Sequence, residues 1–340
     1  MKILIALVVF VLSGCGGGVK MTRINSEERK PNNVWVFFTV QKGEEPVAGL
    51  EAEDFEIYED DGLVSKFESK QVIQNPEVAA VMYTMLLLDV SGSMTESGQI
   101  NNLVDAAKLF TEKVSQSQRV GVYAFDGSPK IHAVVPFTAS VGGVEGGLEG
   151  LRSWTPKDPS TNLHGGVVEG LKTLRTSLDR DKKPLKFGTL VVFSDGADRA
   201  ARVTREELYE AMKHDDHRDF EIIAIGIGDE KEMEEAQLKK IGRNDTVIGS
   251  DAEMTKAFER VANRIEQQSK RFYLLSYCTP ARKGDHKVTI KVKLKEGGSG
   301  QLDYQFNADG FGPPPACDPM RAPTFDLEDV NRTDQERSKK

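Results

Sequence analysis

From residue 81 to residue 268, short and almost purely apolar segments alternate with stretches whose apolar residues recur every three or four positions. A segment apolar throughout suits a strand buried on both faces, and the intervening periodicity suits amphipathic helices that cover it. Repeated in this order, the pattern predicts an α/β class domain with a doubly wound, mostly parallel sheet. Strands are expected over 83–89, 120–125, 131–136, 188–193, 221–226 and 246–248. Helices are expected over 101–115, 141–151, 163–177, 204–213, 231–241 and 252–268, with Thr204 and Glu207 forming a capping box at the fourth.

The flanks follow a different period. Residues 34–40, 55–58 and 64–67, and then 272–277, 286–294 and 301–306, read as short strands separated by turns such as Asp60-Asp61-Gly62. Two or three strands need a packed face to be stable. Residues 34–78 and 271–308 are therefore expected to form one small all-β, sandwich-like module, with the α/β domain, 79–270, inserted between its halves. Two hairpins docked separately on that domain are the alternative. Residues 15–33 read as a tether, and residues 309–340, with Pro313-Pro314-Pro315 and a charged end, as a flexible tail.

The 340 residues, 39% of them apolar, suffice for two such modules. Lys and Arg number 45 against 53 Asp and Glu, a formal charge of −8, and no basic run is interleaved with aromatics. No nucleic-acid partner is expected.

At the N-terminus Lys2 precedes an apolar run over 3–12 and then Ser13-Gly14-Cys15. This reads as an export signal, its apolar run far short of the roughly 20 residues needed to span a bilayer. The string Leu12-Ser13-Gly14-Cys15 resembles a bacterial lipoprotein signal. That resemblance implies removal of residues 1–14, lipidation of Cys15 and attachment to the bacterial cell envelope through acyl chains, each worth ~0.8 kcal/mol per buried methylene. Gly16 stands where an Asp would favour inner-membrane retention, so the resemblance points to the outer membrane. Cys278 and Cys317 are then an even pair in an oxidising compartment, for which a disulfide and two free thiols are both open.

The chemistry is concentrated after the first long strand, in Asp89-Val90-Ser91-Gly92-Ser93. Ligands of doubly wound sheets gather beyond the carboxyl ends of strands. One carboxylate and two hydroxyls at alternate positions offer oxygens suited to a hard cation, Mg²⁺ first, with Mn²⁺ or Ca²⁺ also acceptable. Gly92 permits the tight turn between the serines. Capping of the following helix is the plainer alternative for these residues.

Asp-x-Ser-x-Ser after an apolar strand resembles the metal-ion-dependent adhesion site of von Willebrand factor A domains, whose Rossmann-like fold matches the predicted alternation. In that family a Thr from a second loop and an Asp from a third complete the site. Thr161, just before a helix, and Asp195, ending the strand Leu190-Val191-Val192-Phe193-Ser194, stand at the matching positions. The resemblance implies that Asp89, Ser91, Ser93, Thr161 and Asp195 hold a divalent ion and that a protein partner offers it an acidic side chain. It implies a binding module without catalytic residues.

Rival functions fit less well. A phosphatase-like hydrolase with Asp89 as nucleophile would place a second Asp two residues on, where Ser91 stands. No P-loop run occurs, and neither Ser91 nor Ser194 lies in a G-x-S-x-G frame. A structural lipoprotein whose metal only staples loops is a further alternative. His214 and His217 suggest a solvated helix end before a zinc site, and the acids of 51–61 suggest exposed turns before a calcium loop.

Overall fold

The computed structural model describes residues 18–138, 141–228, 231, 234, 236–312 and 317–325. The expected signal segment and Cys15 lie outside these residues. The described residues divide into two units, one within 18–74 and 271–321, the other within 75–270 and 322–325.

Much of the expected tether is instead a strand. β1 (Val19–Arg29) pairs antiparallel with β2 (Asn33–Lys42) along its whole length. Val19 and Met21 are buried while Lys20 and Thr22 face out, a period-two pattern carried by few apolar residues. After β3 (Glu45–Pro46), β4 (Phe55–Glu59) and β5 (Gly62–Leu63), the strand expected over 64–67 is replaced by one helical turn, α1 (Lys66–Ser69). The Ser65 hydroxyl accepts from the Glu68 amide there, so a local cap wins over weak strand propensity. β6 (Val72–Gln74) ends this part.

The second unit opens with β7 (Ala80–Asp89), α2 (Gly92–Glu96), α3 (Ile100–Val114), β8 (Arg119–Phe125) and β9 (His132–Thr138). It continues with α4 (Val141–Glu149), α5 (Leu163–Asp179), β10 (Leu185–Ser194), α6 (Arg205–Lys213) and β11 (Glu221–Ile227). α7 (Leu238–Ile241), β12 (Asp245–Gly249) and α8 (Met254–Ser269) complete it. Residues 232, 233 and 235 of the helix expected over 231–241 lie outside the described residues. The sheet order is β12-β11-β10-β7-β8-β9, all neighbours parallel except the antiparallel β8–β9 pair.

Alternation along β7 explains why helices lie on both faces. Leu86 and Leu88 pack into one core with Leu103, Val104 and Phe110 of α3 and Phe258 and Val261 of α8. Met85 and Leu87 enter the opposite core with Val167, Leu171 and Leu174 of α5 and Leu208 of α6. All four β7 side chains are fully buried, as a central parallel strand requires.

β13 (Phe272–Cys278), β14 (Asp285–Lys293) and β15 (Ser299–Asn307) return to the first unit. Two antiparallel sheets result, β1-β2-β13-β6 with β3 on β2, and β15-β14-β4-β5. Their inner faces share one core, in which Phe38 meets Phe55 edge-on at 5.5 Å and stacks on Tyr273 at 5.8 Å.

The flexible tail expected from residue 309 is corrected in part, because residues 317–321 are fastened to this unit. Cys317 is disulfide-bonded to Cys278. Asn33 Nδ2 donates to Asp318 O, Ser276 Oγ to Pro319 O and Trp35 Nε1 to Arg321 O, at 2.6, 2.6 and 2.8 Å. An irregular segment can stay ordered when distant side chains satisfy its carbonyls, which composition does not reveal. The disulfide closes a 39-residue separation. Cys317→Ser is accordingly expected to cost about 3–4 kcal/mol of stability. Urea unfolding checks this, and a reductant should shift the parent chain and leave the variant unmoved.

Candidate metal centre

β7 and β10 are neighbours from which the chain proceeds in opposite directions across the sheet, β7 toward β8 and β10 toward β11. Loops leaving the carboxyl ends of two such strands diverge, and the crevice between them is open to a ligand. Asp89 ends β7 and Ser194 ends β10, and the parallel register pairs Leu88 with Phe193, so the two loops start side by side.

Asp89 is fully buried. Its Oδ1 accepts from the Ser91 amide at 3.0 Å and its Oδ2 from the Ser194 hydroxyl at 2.8 Å. Ser91 occupies the cap position of α2, yet its side chain makes no capping bond. The Ser91 hydroxyl, in a buried residue, instead lies 3.2 Å from the hydroxyl of exposed Ser93. The capping alternative therefore does not account for these serines.

The second loop is held against the first by the Gly92 amide, which donates to Pro159 O at 2.8 Å. A Cβ at position 92 would come within 3.1 Å of Pro159, so only glycine allows this approach without displacement. Thr161, 4% exposed, sits on this loop, and its carbonyl accepts from the amides of Arg199 and Ala200 in the third loop, both at 2.9 Å. Asn162 caps α5 by accepting from Gly165 N. All three loops are thus laced to one another, first to second at Pro159, second to third at Thr161, and first to third at Ser194.

Asp195, partly exposed, follows directly on β10 and belongs to the third loop. Burial, and then the charge of Asp195, push the Asp89 carboxyl from its ordinary 3.8 up to about 7, against the hydrogen bonds from Ser91 and Ser194. A buried carboxyl whose proton affinity a neighbouring carboxylate raises marks a place short of positive charge.

The donor set suits a divalent ion on chemical grounds. Among the described residues no three His, Cys, Asp or Glu side chains cluster to hold a metal. An ion here would therefore draw on hydroxyls beside the two carboxylates, an all-oxygen set for a hard cation. The other candidates lead elsewhere. His217 is buried with Nδ1 2.8 Å from Ala211 O, and His214 lies at the exposed end of α6, so the pair closes a helix. Glu51 and Asp54 form a reciprocal cap in the other unit.

Two contributors were missed by reading the sequence. Ser194 binds Asp89 directly, and its only signal was a polar residue ending an apolar strand. Asp126, fully buried after β8, accepts from the Ser128 and Lys157 amides at 2.8 Å each, and its carbonyl accepts from Asn162 N at 3.0 Å. It positions the Thr161 loop. Its signal was an Asp directly after a strand, as Asp89 is.

Comparison with known proteins follows the same segment. Residues 84–197 match the family described as von Willebrand factor type A domain. No curated protein matches the chain. Among solved structures it is similar to proximal thread matrix protein 1 from the mussel byssus, at 18% identity over 54% of this chain and 47% of that one, with a TM-score of 0.44. It is also similar to a von Willebrand factor type A protein from Catenulispora acidiphila, at 11% identity, 86% and 74% coverage and a TM-score of 0.43. A third is the vWF domain of the type V pili tip protein Mfa5 from Porphyromonas gingivalis, at 12% identity, 57% and 97% coverage and a TM-score of 0.44. This chain spans about half the length of the mussel protein, 47%. The stretch that matches the von Willebrand factor type A family is the one that carries Asp89, Ser91, Ser93, Thr161 and Asp195.

Proposed function

We propose that this protein is a membrane-tethered, non-catalytic module that binds a divalent cation in its α/β unit and, through that ion, a partner protein. The observation that supports this most is the lacing of three loops at the ends of β7 and β10, with the Ser91 and Ser93 hydroxyls turned toward each other and unspent on capping. In this reading Asp89, Ser91, Ser93, Thr161 and Asp195 hold the ion, the carboxylates directly or through water, with Mg²⁺ preferred to Mn²⁺ or Ca²⁺. A divalent ion among so many neutral ligands keeps electrophilic character and attracts a carboxylate from a partner.

The hydrolase alternative loses ground on geometry. Both Asp89 oxygens already accept hydrogen bonds and the residue has no exposed surface, so it is not presented as a nucleophile. The reading also retains lipidation at Cys15 and a place in the bacterial cell envelope, at the outer membrane. Because β1 starts four residues after Cys15, the first unit would then stand within about 15 Å of the acylated residue.

Calorimetric titration of the full chain with Mg²⁺, Mn²⁺ and Ca²⁺ tests the ion, and purification from membranes with and without chelator tests the partner. One saturable site and a partner retained only with metal are expected. Absence of binding by every ion overturns the reading, whereas ion binding with a partner indifferent to chelator reduces the metal to a staple.

A further inference from the structure

The loops around the candidate site sort their charges by direction. Several of their acids point inward or are engaged. Asp126 is buried and bonded by two amides. Asp158 accepts from Ser160 and from Arg202, and Asp198 accepts from the His164 amide and lies 3.5 Å from its Nδ1. Their cations point outward, for Lys130, Lys157, Arg199, Arg202 and Arg205 are all exposed. Of these five, only Arg202 pairs with a carboxylate among the described residues. The exposed acids are Glu96 of α2 and, in the first turn of α6, Glu206 and Glu207, the latter engaged by Thr204, while Asp195 is partly exposed.

Hydrogen bonds tie Lys157, Arg199 and Arg202 to the loops that frame the crevice. The Arg199 amide is bonded to the Thr161 carbonyl and the Lys157 amide to the Asp126 carboxylate. Arg202 bridges the third loop to Gly127 O and Asp158, and Arg205 opens α6 just beyond. In a chain of net charge −8, an outward excess of cations on these loops runs against the overall balance. One carboxylate on one ion would not need it. Long-range attraction of several negative charges would.

We infer that the partner surface is a cluster of acidic side chains, one directed at the ion and its neighbours at the surrounding Lys and Arg residues. This rests on the metal-dependent reading above and adds the partner's chemistry. The probes are two labelled peptides, one with a single Glu flanked by Gln and one with the same Glu flanked by four further Glu, titrated onto the full chain in saturating Mg²⁺.

At about 20 mM salt the acid-rich peptide is expected to bind at least about tenfold tighter, an advantage that shrinks toward unity near about 200 mM. The combined variant Lys130→Gln, Lys157→Gln, Arg199→Gln is expected to erase that advantage while its Mg²⁺ calorimetry stays as in the parent. Equal binding of the two peptides, or no binding by the acid-rich one despite a normal Mg²⁺ titration, overturns the inference and leaves the metal site standing. Absence of any Mg²⁺ binding overturns the metal reading and this inference with it. Phosphatidylglycerol vesicles that bind in chelator as tightly as the acid-rich peptide does in Mg²⁺ would assign the cations to a membrane surface and overturn it too.

Discussion

Asp89→Ala is expected to weaken Mg²⁺ binding by about a hundredfold or more, which is about 2.8 kcal/mol or greater, while leaving the far-ultraviolet circular dichroism of the chain nearly unchanged. In the proposed site, the loss follows from removing one of the two carboxylates that would hold the ion. The fold survives because two terms oppose each other. The substitution strips an acceptor from the Ser91 amide and the Ser194 hydroxyl, although the latter keeps Gly196 O at 3.0 Å. It also removes a fully buried carboxyl that sits in the field of Asp195. Asp195→Ala is expected to lose Mg²⁺ similarly, with less effect on folding, since Asp195 is partly exposed. Calorimetry and circular dichroism on both variants decide the matter, with Asp89→Asn as the near-isosteric control. Parental Mg²⁺ affinity in both alanine variants would remove the site from these loops.

In chelator, stability should fall as pH rises between 3.8 and about 7, and saturating Mg²⁺ should flatten that fall. The sign follows from the direction of the Asp89 shift. Burial and Asp195 make the folded chain hold the Asp89 proton more tightly than the unfolded chain does. Stability from this group is therefore complete below 3.8 and is lost as pH passes up through about 7. For one proton the slope cannot exceed about 1.4 kcal/mol per pH unit. Glu59, raised by burial, acts with the same sign, so the difference between parent and Asp89→Asn isolates the Asp89 part. Urea unfolding between about pH 5 and pH 7, above the ordinary carboxylate range, reads it out. A parent curve in chelator that coincides with that of Asp89→Asn would show that Asp89 is ionised like an ordinary carboxylate.

The parts legible in the sequence are those written within a few consecutive residues. β7 could be read because Met85 to Leu88 are apolar without a break and Asp89 stops the run. The Thr204 and Glu207 box could be read because both of its bonds are local. β1 could not. Its register slips between Arg23 and Asn25, which pair with Phe38 and Phe37, so a bulge carries the side chains beyond it to the other face and only Val19 and Met21 are left to mark the alternation. α1 was mistaken for a strand because four residues carry too little period to separate the two.

The sequence by itself proposed the oxygen-bearing residues of the candidate site and determined the strand ends that carry them and the alternating α/β class, since each is encoded in local order and spacing. Tertiary structure decided what those residues face. Ser194 and Asp89 are 105 positions apart, and they meet only because β10 lies beside β7 in the sheet. The contact of Gly92 with Pro159, the hold of Arg199 on Thr161 and the burial that lifts the Asp89 proton affinity depend likewise on strand order and loop packing. No local pattern specifies which strands become neighbours, because hydrogen bonding and burial reward any pairing that matches the pleat, and only the assembled core selects one.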